Sequence, residues 1–110
     1  MNFISTRNAA PAVNLSQAIA AGLAPDGGLY VPQALPAPRQ LHAGASLAET
    51  TAGLLAPFFA GDALEAELPA ICAEALDFPV PLVPLATPGD HVLELFHGPT
   101  AAFKDVGARF

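Results

Sequence analysis

Proline placement constrains this chain more than any other feature. Twelve of its 110 residues are proline. Each one fixes φ and removes a backbone donor, so it interrupts helices and is kept out of sheet interiors. The prolines cluster at 32–38 and at 79–88. Those clusters read as joints between stretches of short elements.

The first stretch opens with Phe3-Ile4-Ser5-Thr6, a short strand candidate. Asn14 and Gln17 then suit an N-cap and its N3 partner, predicting a helix over 15–21 with Leu15, Ile19 and Leu23 near one face and Gly22 as its stop. Ala24-Pro25-Asp26-Gly27-Gly28 is a turn in which Asp26 is a turn former, and Leu29-Tyr30-Val31 follows as a strand ended by Pro32. Arg7 suits a structural salt bridge, with a phosphate contact as the alternative.

Residues 33–45 are a proline-containing loop. Ser46-Leu47-Ala48-Glu49 is a capping box, followed at helical spacing by Leu47, Leu54, Leu55, Phe58 and Phe59. Pro57 is expected to end or break that helix. The Phe58-Phe59 pair is either core or a face exposed by loss of a neighbouring domain. A second helix fits 65–76, with Leu64, Leu68, Ile71 and Ala75 on one face. Pro69 suits only a first turn, which moves the start towards Leu68. Cys72 lies on this helix among apolar neighbours and reads as buried rather than reactive.

Beyond Phe78-Pro79, Leu82-Val83-Pro84-Leu85 and Val92-Leu93-Glu94-Leu95-Phe96 read as strands about a Pro88-Gly89-Asp90 turn. Glu94 is unusual in an apolar strand and fits a solvent-facing position. His97-Gly98-Pro99-Thr100 is a loop, where His97 reads as loop structure ahead of an acid or base. A helix is expected from Ala101 to Phe110. It has no cap, glycine stop or closing proline, so the chain reads as a truncated piece of a longer protein.

Composition narrows the function classes. The chain is 53% apolar and 13% charged, which allows a packed core. With a formal charge of −6 and four Lys and Arg in total, there is no basic stripe for nucleic acid or for an anionic membrane surface. A single cysteine rules out an intrachain disulfide, and no secretory signal or spanning segment is visible. These features fit a cytoplasmic protein. His42 and His91 lie in loop or turn contexts with no partner cluster, so no metal site is expected.

The segment from Leu93 to Phe110 carries the chemistry. It reads as a strand, a tight Gly-Pro loop and a helix whose first turn presents Lys104. A lysine, with an ordinary pKa of about 10.4, becomes nucleophilic when its ammonium form is disfavoured. A helix N-terminus does this, as does an apolar surround of the kind Phe96, Ala101, Ala102 and Phe103 can supply. Such an amine suits a Schiff base with an aldehyde cofactor. Asp105 opposes that effect if it faces the amine, but neighbours in a helix point to different sides, so its expected role is in the fold. Thr100 can cap the helix that carries Lys104 or touch substrate.

Gly98-Pro99-Thr100-x-x-Phe103-Lys104-Asp105-x-Gly107 resembles the lysine signature of fold-type II pyridoxal-phosphate enzymes. With Glu94-Leu95-Phe96-His97 before it and Ala108-Arg109-Phe110 after it, the string is similar to the threonine synthase family. So are Ile4-Ser5-Thr6-Arg7 and the block from Gly22 to Pro32.

The resemblance implies an α/β chain in two parts. Residues 1–80 form a small helical N-terminal domain with a short strand pair, and 81–110 begin the fold-type II catalytic domain, truncated. It implies conversion of O-phospho-L-homoserine and water to L-threonine and phosphate, with pyridoxal 5'-phosphate held by Lys104 as catalytic and cofactor-binding residue. Thr100 is a candidate substrate contact. The nearest alternatives are another fold-type II enzyme, of threonine dehydratase or cysteine synthase type, and a non-enzymatic acidic interaction module. Surface made for a missing domain is expected to drive self-association.

The family's glycine- and serine-rich phosphate loop has no counterpart in residues 1–110. The chain alone is therefore expected to be inactive and to hold the cofactor weakly. Titrating it with pyridoxal phosphate should give no saturable imine absorbance; tight stoichiometric labelling of Lys104 would contradict this.

Overall fold

The computed structural model describes residues 1–37 and 44–110. The expected loop at 33–45 lies partly outside these residues, and His42 wholly so. The elements are β1 (Phe3–Ser5), α1 (Leu15–Ala21), β2 (Tyr30–Pro32), α2 (Leu47–Phe59), α3 (Leu68–Ala75), β3 (Leu82–Pro84), β4 (His91–Leu93) and α4 (Asp105–Ala108). Strands pair as two separate antiparallel ribbons, β1 with β2 and β3 with β4.

The first ribbon is built around Ser5 and Asp26. Its register pairs Phe3 with Pro32 and Ser5 with Tyr30. Pro32 thus sits within β2, and Leu29 instead bridges to Leu23. Ser5 is 1% exposed. Its Oγ donates to Asp26 Oδ1 at 2.7 Å and accepts from the Arg7 amide at 3.1 Å. The Asp26 carboxylate also accepts from the amides of Gly28 at 2.9 Å and Ala9 at 3.0 Å. Among the described residues Arg7 makes no carboxylate salt bridge: its guanidinium donates to the Asp26 backbone carbonyl at 3.0 Å. Gly28 has no room for a side chain, since a Cβ would lie 2.1 Å from Ser5 Oγ and 3.1 Å from the Arg7 amide.

α1 forms as expected. Asn14 Oδ1 accepts from the Gln17 amide at 2.8 Å, Gln17 Oε1 accepts from the Asn14 amide at 3.0 Å, and Gly22 ends the helix at φ 69°. A seven-residue helix is marginal alone, and Asp62 supplies the missing support. Its carboxylate accepts from the Ser16 amide at 3.1 Å, from the Ser16 hydroxyl and from the Leu64 amide at 3.1 Å. The buried face differs from the expected one. Leu15 and Ala18 are buried, while Ile19 and Leu23 are each 59% exposed, because so short a helix turns little more than one side to the core.

α2 begins with the capping box, Glu49 amide to Ser46 Oγ at 3.2 Å and Ser46 amide to Glu49 Oε2 at 2.7 Å. Pro57 does not break it; the helix runs on to Phe59. The proline ring would crowd the carbonyl four residues back and removes one hydrogen bond. That defect falls in the last turn, where packing holds the backbone. Phe59 is buried in a cluster with Phe3, Leu15, Ala18, Leu68 and Cys72, and Phe58 packs against it, so the phenylalanine pair is core. Burying a side chain of this size contributes about 1.5–3 kcal/mol. α3 starts at Leu68 with Pro69 in its first turn, where no amide donor is needed. It turns Leu68, Cys72 and Ala75 inward. Cys72 is fully buried, and burial pushes its thiol pKa up, which keeps it unreactive. Ala75, Leu76 and Phe78 form a second small cluster at the end of α3.

Among the described residues, no helix is long and apolar enough to cross a membrane. Leu82, at 61%, and Phe103, at 71%, are the most exposed large apolar side chains of the C-terminal stretch.

Two outcomes are expected. Gly28→Ala must displace Ser5 Oγ from Asp26, a loss of about 1–3 kcal/mol, seen as a lower thermal midpoint with the secondary structure retained below it. Hydrogen bonds from Ser5 and Ser16 hold the carboxyls of Asp26 and Asp62 below the ordinary aspartate value of 3.8. Their folded pKa values are depressed, so their contribution is present above 3.8 and is lost as pH falls through the folded values. Thermal midpoints should therefore drop below about pH 4, and Asp62→Asn should flatten that drop.

Candidate functional site

The C-terminal ribbon leads into the lysine segment. Leu82 pairs with Leu93 and Pro84 with His91, around a turn in which Gly89 adopts φ 92°. β4 ends at Leu93 rather than Phe96. The Glu94 amide makes one further bond, to the Pro81 carbonyl at 3.0 Å. Past that point the chain folds on itself: His97 Nε2 lies 2.6 Å from Glu94 Oε2, and the His97 ring stacks at a tilt on Phe96 with centroids 4.7 Å apart. Glu94 therefore has a partner and does not simply face solvent. His91 Nδ1 lies 3.1 Å from the Gly89 carbonyl within its own turn.

The loop from Gly98 to Lys104 is tied by one carboxylate. Asp105 is 2% exposed. Its Oδ2 accepts from the Thr100 amide at 2.8 Å, and its Oδ1 accepts from the Thr100 hydroxyl at 2.7 Å. These bonds, the hydroxyl first, keep the Asp105 carboxyl below the ordinary aspartate range. Gly98 lies against the same side chain: a Cβ there would meet Asp105 Cβ and Oδ2 at 2.7 Å. Ala101 sits in the left-handed region at φ 53°, a conformation that costs a non-glycine residue roughly 1–2 kcal/mol. A residue so placed cannot belong to an α-helix. For that reason the expected helix from Ala101 is a turn up to Lys104, and α4 covers only Asp105–Ala108.

Lys104 occupies the N-cap position of α4. Its side chain is 64% exposed, and Nζ lies 4.0 Å from Asp105 Oδ1. Two sequence-based expectations change here. The apolar surround is not formed, since Phe96 is 51% and Phe103 71% exposed. A helix of four residues also brings little dipole to bear on the amine. Thr100 does not cap α4; the Lys104 N-cap has no side-chain cap, and the Thr100 hydroxyl is engaged by Asp105. Asp105, read from the sequence as serving the fold, does so and also faces the amine.

The lysine turn rests on the end of α3. Val106 packs against the cluster of Ala75, Leu76 and Phe78. Arg109 donates to the Asp77 carboxylate and, at 3.3 Å, to the Glu74 carbonyl, with its guanidinium 5.8 Å above the Phe78 ring centre. Sequence reading missed this seat. Arg109 was visible as one of four basic residues and as part of the family string, but nothing in the local pattern pairs it with Asp77. Among the described residues, no group of three or more His, Cys, Asp or Glu is placed to hold a metal ion.

The sequence matches the family described as "Threonine synthase N terminus" over residues 2–76. It is 43% identical to the threonine synthase of Pseudomonas aeruginosa across 96% of this chain and 24% of that protein. With the threonine synthase of Haemophilus influenzae the identity is 36%, across 100% of this chain and 26% of that one. The structure superposes on the crystal structure of PLP-bound threonine synthase from Brucella melitensis with a TM-score of 0.77 at 42% identity, covering 96% of this chain and 24% of that one. The chain thus spans about a quarter of the length of the relatives it matches. From the N-terminal ribbon to the lysine turn, this chain belongs to the threonine synthase family, whose N-terminal region it matches.

Proposed function

We propose that this chain is the N-terminal part of a fold-type II enzyme that converts O-phospho-L-homoserine and water to L-threonine and phosphate in the cytoplasm, with pyridoxal 5'-phosphate. On this reading residues 1–80 are an accessory domain and 81–110 the start of the catalytic one. The observation that carries it is Lys104. It is the only lysine in the sequence, it sits on a turn tied down by Asp105, and it follows N-terminal blocks in the family's order. The match over residues 2–76 favours this reaction over that of a dehydratase or cysteine synthase.

The residues fit an aldehyde cofactor in one respect that can be tested here. A primary amine that projects into solvent from a braced turn can reach an aldehyde carbon, and Lys104 is 64% exposed. Bound there, pyridoxal phosphate supplies an electron sink for carbanion chemistry beside the substrate's amino group. Lys104 Nζ would hold the cofactor through its aldehyde carbon and, when released, would be the base on this chain that moves a proton between substrate carbons. Thr100 and Asp105 keep the turn in place during both tasks. Thr100 also remains the candidate substrate contact, through the lone pairs its hydroxyl still has free. The exposed apolar side chains support self-association of this piece when it is made alone.

In the full-length protein, Lys104→Ala should lower threonine formation at least about a hundredfold. Borohydride reduction with pyridoxal phosphate should mark Lys104 in the parent protein. Undiminished turnover in the alanine variant, or a label at another residue, would remove the reading.

A further inference from the structure

The sequence places Lys104 and Asp105 side by side, yet consecutive residues in a helix diverge. They meet here because Lys104 precedes α4, so its side chain can fold back until Nζ lies 4.0 Å from Asp105 Oδ1. Three observations converge on that carboxylate, and a fourth concerns the residue beside Thr100. It is buried, and a buried charge needs partners. Thr100 supplies two of them, through its amide and its hydroxyl. Gly98 leaves the space the carboxylate fills. Ala101 is held in a backbone conformation that persists only where its surroundings over-determine it. The other charged groups near this turn are paired elsewhere, Glu94 with His97 and Asp77 with Arg109.

We propose that Asp105 is a positioning residue for Lys104: bracing Gly98 and Thr100, it fixes the turn from which the amine projects, and it holds the amine at ion-pair distance. Thr100 acts through Asp105, and its single hydroxyl proton is committed to that carboxylate. The function of the amine rests on the reading of Lys104 given above. The geometry does not, so the test uses no cofactor, and its failure is separate from failure of that reading.

Because the sequence contains one lysine, reductive methylation with 13C-formaldehyde gives two NMR signals, Lys104 and the Met1 amine. The Met1 amine lies 3.2 Å from the Ala60 carbonyl, far along the chain, and reports whether the core is intact. At neutral pH the Lys104 methyl signal should differ from that of the urea-unfolded chain and show a nuclear Overhauser contact to the Asp105 β-protons. In Asp105→Asn and in Thr100→Val it should shift to the unfolded position while the Met1 signal stays put. Thr100→Ser should restore the parent spectrum. Thr100→Val exchanges the hydroxyl for a methyl group and keeps the backbone amide that Asp105 also accepts, so in a folded chain it decides the matter even if Asp105→Asn fails to fold. A parent signal already at the unfolded position, or one unmoved by Thr100→Val in a folded chain, would overturn the proposal.

Discussion

Short elements leave many backbone N–H groups at their ends without a partner, and this chain meets the demand at three joints with aspartate carboxylates. Asp26 gathers the amides of Gly28 and Ala9 and the Ser5 hydroxyl at the first ribbon. Asp62 ties the start of α1 to the α2–α3 connection. Asp105 closes the lysine turn. Each accepts several hydrogen bonds as the charged form, and charge-assisted bonds of this kind are the stronger ones. The core that these joints frame is modest, one cluster around Phe59 and Cys72 and a smaller one around Phe78.

The same device explains why so acidic a chain is not merely well solvated. A formal charge of −6 would ordinarily bear on solubility alone. Here Asp26, Asp62 and Asp105 each act as an internal acceptor of several bonds, and hydroxyls from Ser5, Ser16 and Thr100 serve them in turn. One carboxylate with one hydroxyl recurs at all three joints. At the lysine turn the pattern gains a further member, the amine of Lys104, and there a structural joint coincides with the candidate site.

Much local chemistry was legible where the cause lay within about four residues, though the Glu94–His97 pair and the meeting of Lys104 with Asp105 were not. Both capping boxes, the Gly22 stop, the Pro69 start of α3, the turn at Asp26 and burial of Cys72 are read from neighbouring side chains. Several other expectations that needed revision depend on partners far along the chain. Pro57 stays helical because Phe59 is packed against residues from three other elements. Ile19 and Leu23 are exposed because the core is reached by Leu15 and Ala18. Arg7 finds a carbonyl instead of a carboxylate.

The sequence by itself determined where α1 starts and stops and where α2 and α3 start, that the one lysine sits behind a Gly-Pro loop, and which family motifs appear in which order. Those properties follow from backbone preferences and short-range capping, which adjacent residues settle. Only the tertiary structure decided that Asp62 reaches Ser16 across 46 positions, that Arg109 reaches Asp77 across 32, and that the lysine turn rests on the end of α3. It also decided the conformation of Ala101, and with it whether Lys104 lies inside a helix or ahead of one. A left-handed alanine is unfavourable in isolation, and here it lies next to Thr100, which the Asp105 carboxylate holds. No pattern of neighbouring residue types encodes that event.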